Sequence, residues 1–158
     1  MSGMQINSAN AEPYWQAWFD GAALPNPGKI GVGALVVWPA GERFEKSALA
    51  GCCGCSNEAE LHALCTALEL AHGAGARCLV VRGDSDIALR YVAGSDSTKI
   101  VRLVTLVARA RDWLQRFEDV QLIWVPRHRN AEADRFSRQA LGLPHKPSSP
   151  AKRKLRRR

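Results

Sequence analysis

The chain has 158 residues, 46% hydrophobic and 23% charged, with a formal net charge of +7, a composition that fits one soluble domain and excludes disordered and collagen-like chains. No period of 20 to 50 residues recurs, which excludes a repeat array. No apolar run approaches the length of a membrane span, and residues 1–12 lack the basic and apolar segments of a signal peptide, so a cytoplasmic monomer that makes no membrane contact is expected. The five cysteines, an odd number, are expected to be reduced thiols.

In chain order, residues 1–12 are expected to be a flexible start, and Tyr14–Asp20 a strand that ends on its acid. A Pro-Asn-Pro-Gly turn at 25–28 leads to an apolar strand at Gly31–Trp38, and Glu42–Ala48 alternates as a third strand, making an antiparallel meander. Leu61, Leu64, Cys65, Leu68 and Ala71 recur at helical spacing and predict a helix over Asn57–His72, stopped by Gly73 and Gly75. Arg77–Arg82 is a short apolar strand, Ser85–Ala93 a short helix, Thr98–Phe117 a long helix, Val120–Val125 the fifth strand and Ala131–Leu141 the last helix. The order βββαβααβα predicts an α/β (α+β mixed) fold, a five-stranded mixed sheet with helices on its faces, spanning residues 13–143. Residues 144–158 hold three prolines and seven cations without an acid and are expected to be a disordered basic tail. They account for the whole charge excess, since the preceding residues carry 15 cations against 15 acids.

Four carboxylates occupy element ends. Asp20 closes the first strand, Glu60 lies one turn into the first long helix, Asp84 follows the fourth strand and Asp134 opens the last helix. Each alone reads as a cap, a turn former or a surface acid. Together, parallel strand ends and adjoining helix starts can converge, and four oxygen ligands suit Mg²⁺ or Mn²⁺ in preference to zinc. Two such ions clamp a phosphodiester.

Phe19-Asp20-Gly21-Ala22-Ala23-Leu24-Pro25-Asn26-Pro27-Gly28, Asn57-Glu58-Ala59-Glu60-Leu61, Gly83-Asp84-Ser85 and His128-Arg129-Asn130-Ala131-Glu132-Ala133-Asp134 resemble, in order and in element context, the four motifs of type I ribonuclease H, in the short form that archaeal-type members share. The resemblance implies the ribonuclease H-like fold and a metal-dependent endoribonuclease. Such an enzyme cuts the RNA strand of RNA–DNA hybrids and leaves 5′-phosphate and 3′-hydroxyl ends. It implies Asp20, Glu60, Asp84 and Asp134 as ligands of two Mg²⁺ ions, replaceable by Mn²⁺, with Glu60 also reaching a ribose 2′-hydroxyl. By the same resemblance His128 assists proton transfer or product release, its plain alternative being a surface histidine that orders its loop.

Asn26 and Asn57 match positions that face the hybrid's minor groove, Gly21 permits close backbone approach and Ser56 is a further substrate-contact candidate, while Arg127 and Arg129 are placed to meet phosphate or to neutralise local acids. The asparagines equally suit turn and helix-start chemistry, and Asn130 reads as the cap of the last helix. Lys152 and Arg153 represent the tail, expected to track the phosphate backbone; about four such contacts would give a salt slope near −4. Relatives commonly carry Thr-Asn where this chain has Cys55-Ser56 and an uncharged residue where it has Asp86, and the basic protrusion of longer relatives is absent. Cleavage of double-stranded RNA and a silent hybrid-binding module are therefore the alternatives carried forward, while exonucleases, resolvases and integrases share only the fold. A zinc site at Cys52-Cys53-Gly54-Cys55 is not favoured, because Cys65 and Cys78 read as core. Most of the five tryptophans read as core too, with one exposed ring free to stack on substrate.

Overall fold

The computed structural model describes residues 12–144. The flexible start expected before them and the tail from 145, with Lys152 and Arg153, lie outside the described residues. One five-stranded sheet runs in the order β3-β2-β1-β4-β5, formed by β1 (Trp15–Leu24), β2 (Gly28–Val37), β3 (Arg43–Gly54), β4 (Cys78–Gly83) and β5 (Asp119–Trp124). The first three strands are antiparallel, as the short turns between them require. β4 lies parallel to both β1 and β5, and the helices α1 (Ser56–Ala74), α2 (Asp86–Ala93) and α3 (Val101–Leu114) make the crossovers. A single 3-10 turn at Arg127–Arg129 precedes α4 (Ala131–Ala140).

Helices cover both faces. α1 packs on β1 and β2 and carries α3 on its outer side, while α4 packs on the opposite face of β1, β2 and β3. This explains the unbroken apolar run of β2, buried from Ile30 to Val36, since a strand covered on both sides has no solvent face to alternate with. Leu61, Leu64, Cys65, Leu68 and Ala71 are the buried stripe of α1, and Cys65 and Cys78 are buried as the sequence indicates. No helix among the described residues is long and apolar enough to cross a membrane.

The boundaries differ in informative places. β1 continues four residues past Asp20, because its antiparallel pairing with β2 runs on to Leu24 after its parallel pairing with β4 stops at Phe19. β3 extends to Gly54, with a bulge between Lys29 and Gly31 of β2, which puts Cys52 and Cys53 on the strand and not in a loop. α3 starts at Val101, not Thr98. No tryptophan is fully buried: Trp15, Trp18, Trp38 and Trp113 are half-buried and Trp124 is 52% exposed. The indole is too large for the small apolar interior of this sheet.

Candidate active site

The register places the first two acids. Phe19 and Gly83 are the last partners of the parallel β1–β4 ladder, so Asp20 and Asp84 are the next residues on adjacent strands and stand side by side where that ladder ends. Glu60 arrives from above on α1. The helix comes that close only because residue 21 lacks a side chain: a Cβ on Gly21 would lie 2.0 Å from the Ala59 carbonyl oxygen. Ligand oxygens of Asp20, Glu60 and Asp84 lie within 4.8 Å of one another, the one such group of acids, histidines or cysteines among the described residues. Asp134 lies outside that group, in the first turn of α4, close enough for its charge to act on Asp20.

Crowding four carboxylates in a partly dry place has the expected cost. Burial pushes the Asp20 carboxyl from 3.8 up to about 7, opposed by a hydrogen bond from Ser137 and reinforced by the charges of Asp84 and Asp134. Glu60 is held well above its ordinary value by burial first and then by the Asp20 and Asp84 charges. Its Oε2 is buried without a hydrogen-bond partner, and so is Oδ1 of Asn130. Oxygens left unsatisfied among repelling carboxylates fit a divalent hard cation, which would supply both the missing partner and the missing charge.

Two residues that hold the acids were not read as such from the sequence. Ser137, fully buried on α4, donates to Asp20 Oδ2 at 2.5 Å. Asn130 occupies the start of α4, as read, but its side chain makes no cap. Its amide instead donates to the Phe19 carbonyl at 2.8 Å and to Asp84 Oδ2 at 3.0 Å, which ties β1, β4 and α4 together at the acids. The signal available was a serine three residues after Asp134 at an otherwise apolar helix position. Nothing local distinguishes a capping Asn from a bridging one. Trp124 is the exposed ring beside the site, its indole N–H donating to the Asp84 carbonyl oxygen at 3.2 Å.

The other candidates surround the acids more loosely. His128 is exposed on the 3-10 turn with Arg127, and it helps line a cavity of about 340 Å³ with Trp18, Leu35, Arg43 and Arg129. Asn26 is exposed in the β1–β2 turn and its Oδ1 accepts from the Ser56 amide at 3.1 Å, so it caps the first turn of α1 and holds Ser56 and Asn57 beside the turn. Glu58 on the same turn is buried. Although burial opposes it, the Arg102 guanidinium at 3.0 Å and the Cys55 amide at 3.2 Å keep its carboxyl below the ordinary range.

Comparison with known proteins agrees with this geometry. Residues 18–140 match the family described as reverse transcriptase-like. Ribonuclease HI of Halobacterium salinarum is 34% identical over 125 residues, which are 79% of this chain. The chain spans 63% of the length of that relative. The crystal structure of the ribonuclease H1 from Halobacterium salinarum NRC-1 superposes with a TM-score of 0.78 at 34% identity, covering 82% of this chain and 98% of that one. LC11-RNase H1, solved in complex with an RNA/DNA hybrid, superposes with a TM-score of 0.73 at 28% identity, covering 81% of this chain and 96% of that one.

Proposed function

The chain belongs to the reverse transcriptase-like family, with the fold of the ribonucleases H1, and from that premise we propose that it is an endoribonuclease. It hydrolyses the RNA strand of RNA–DNA hybrids, leaving 5′-phosphate and 3′-hydroxyl ends. The observation that carries this reading is the convergence of Asp20, Glu60 and Asp84 within 4.8 Å, with the Asp134 charge felt at Asp20. Asp20, Glu60, Asp84 and Asp134 would hold two divalent cations, Mg²⁺ or Mn²⁺, whose charge activates water and stabilises the leaving oxygen when they are bound.

The side chains do the positioning. Ser137 and Asn130 fix the oxygens of Asp20 and Asp84, so the acids are preorganised and lose little freedom when they take up their ligands. Glu60, on the helix that begins with Ser56 and Asn57, reaches a ribose 2′-hydroxyl, the group that marks RNA. Asn26, Ser56 and Asn57, gathered by the Asn26–Ser56 hydrogen bond, face the hybrid. His128 is exposed on the turn after β5, where it can exchange protons with solvent and product, and Arg127 beside it and the basic tail meet phosphate.

The test is cleavage of end-labelled RNA–DNA hybrid, double-stranded RNA and double-stranded DNA by wild type and Asp20→Asn, with Mg²⁺, Mn²⁺ or EDTA. We expect RNA-strand cleavage in the hybrid that needs metal, and a loss of at least about a thousandfold in kcat for Asp20→Asn with hybrid binding nearly unchanged. Equal cleavage of double-stranded RNA would widen the substrate class. Binding of hybrid without cleavage of any duplex would overturn the enzyme reading and leave a binding module.

A further inference from the structure

The chain has five tryptophans, and four of their rings are already engaged. Trp15 and Trp38 pack on each other with ring centroids 4.9 Å apart. The Arg82 guanidinium lies 5.3 Å from the Trp18 ring, and that of Arg116 lies 4.1 Å from the Trp113 ring. Trp124 is the exception. It is the most exposed of the five, and no aromatic ring or cation among the described residues packs on its indole.

Its position is nevertheless fixed. β5 is an edge strand, so no further strand shields the ring, and the ladder partner of Trp124 on β4 is Gly83, which has no side chain to hold the indole away. The indole N–H therefore reaches the Asp84 carbonyl oxygen at 3.2 Å, and one edge of the ring is tied to the backbone of an acid. Asn26, Ser56 and Asn57 belong to the β1–β2 turn and the start of α1. The line from them past Asp20 on β1 and Asp84 after β4 continues to Trp124, one strand further along the sheet. Arg127 follows three residues later, exposed and in no ion pair among the described residues. Inside a duplex the bases stack on one another, and a ring can enter between them only by unstacking them. The apolar surface that a duplex offers without that cost is its sugars.

We propose that Trp124 is a substrate-positioning residue that packs its indole on a ribose of the RNA strand, beside the phosphate held at the acids, with Arg127 on a phosphate beyond it. This rests on the function proposed above. The sugar belongs to the RNA strand because the ring is tied to Asp84, one of the acids that must reach the scissile phosphate. A contact to sugar is independent of base sequence, and the hydrogen bond to the Asp84 carbonyl oxygen sets its distance from the reacting centre.

The experiment compares the full chain as wild type, Trp124→Phe and Trp124→Ala in steady-state cleavage of hybrids of different base sequence. Phenylalanine keeps an aromatic face and loses the N–H, whereas alanine loses both. We expect KM to rise about tenfold in Trp124→Ala with kcat within about threefold, and KM to stay within about twofold of wild type in Trp124→Phe, alike on every sequence. An unchanged KM in Trp124→Ala would overturn the proposal. So would equal changes in the two variants, the mark of a ring that only supports Asp84 through its N–H. A second readout does not depend on turnover: acrylamide quenching of indole fluorescence in the Asp20→Asn protein, with and without saturating hybrid. Bound hybrid should shield the most readily quenched indole, and adding Trp124→Phe should remove both that indole and the shielding. Quenching that hybrid leaves unchanged would overturn the contact even if Trp124→Ala fails to fold. If wild type cleaves no hybrid, the functional reading fails by itself, and shielding still decides whether the duplex lies on Trp124.

Discussion

Asp20 is asked to be an anion in a place that resists anions, and Ser137 is the neighbour that makes this easier. The Ser137 hydroxyl lies 2.5 Å from Asp20 Oδ2 and 2.9 Å from the Asp134 carbonyl oxygen, and its single proton can serve only one of them at a time. A charged Asp20 is the stronger acceptor. Removing the hydroxyl in Ser137→Ala leaves burial and the charges of Asp84 and Asp134 less opposed, so the Asp20 carboxyl should hold its proton to still higher pH. We expect the acid limb of the kcat/KM profile to move alkaline by roughly half to one pH unit, with a stability loss of about 1 kcal/mol for the lost hydrogen bond. A profile recorded from pH 5.5 to 9 checks this; a limb that does not move would show that Ser137 supports the helix and not the acid.

The acids meet because helices are allowed to touch strands at particular glycines. Gly21 admits the α1 backbone and Gly33 admits that of α4, where a Cβ would lie 2.2 Å from the Ala133 carbonyl oxygen. Both contacts are to backbone, so no flexible side chain can give way. Gly21→Ala should therefore push the Glu60 turn away from Asp20, costing about 1–3 kcal/mol of stability by overpacking and lowering metal affinity more than tenfold. Thermal melts and Mg²⁺ titration by calorimetry measure the two effects, and normal metal affinity in a destabilised protein would separate them. The elements themselves were legible, because the 3.6 period of Leu61, Leu64, Leu68 and Ala71 and the apolar run of β2 are local patterns. Asp20, Glu60 and Asp84 were legible through their motifs. What the chain did not disclose depends on contacts distant in sequence. The extension of β1 past Asp20 is set by its pairing with β2, and that of β3 to Gly54 likewise. The bridging role of Asn130 joins residues 111 and 46 positions away, and the one exposed indole among five follows from which strand ends beside Asp84.

The acid cluster sets a term in the stability of the entire domain that runs opposite to ordinary acid denaturation. Asp20 is near 3.8 when unfolded and about 7 when folded without metal, and Glu60 is raised in the same direction. Between those values the folded state binds more protons than the unfolded one, so stability is greatest at the acid end of the window and falls as pH rises through it. For Asp20 the full excursion amounts to about 4 kcal/mol. Glu58, held low by Arg102 and the Cys55 amide, contributes with the opposite sign only below the ordinary glutamate range, whereas His62, whose imidazole burial and the Arg109 charge hold below its ordinary value, also contributes with the opposite sign inside the window and offsets part of the carboxylate effect. In EDTA the melting temperature should therefore drop between pH 5 and pH 8, by on the order of 10 °C. Saturating Mg²⁺ should restore most of that drop at pH 8, where the carboxylates are free to bind it, and little at pH 5, where protons compete for the same oxygens. The double variant Asp20→Asn, Glu60→Gln should lose the fall in melting temperature with rising pH and the Mg²⁺ response, leaving only the shallow rise that His62 supplies. A wild-type melting temperature that is flat or rising from pH 5 to pH 8 in EDTA would mean that the carboxylates are already relaxed apart, and a convergent metal centre would then have to be assembled by the substrate and not by the fold.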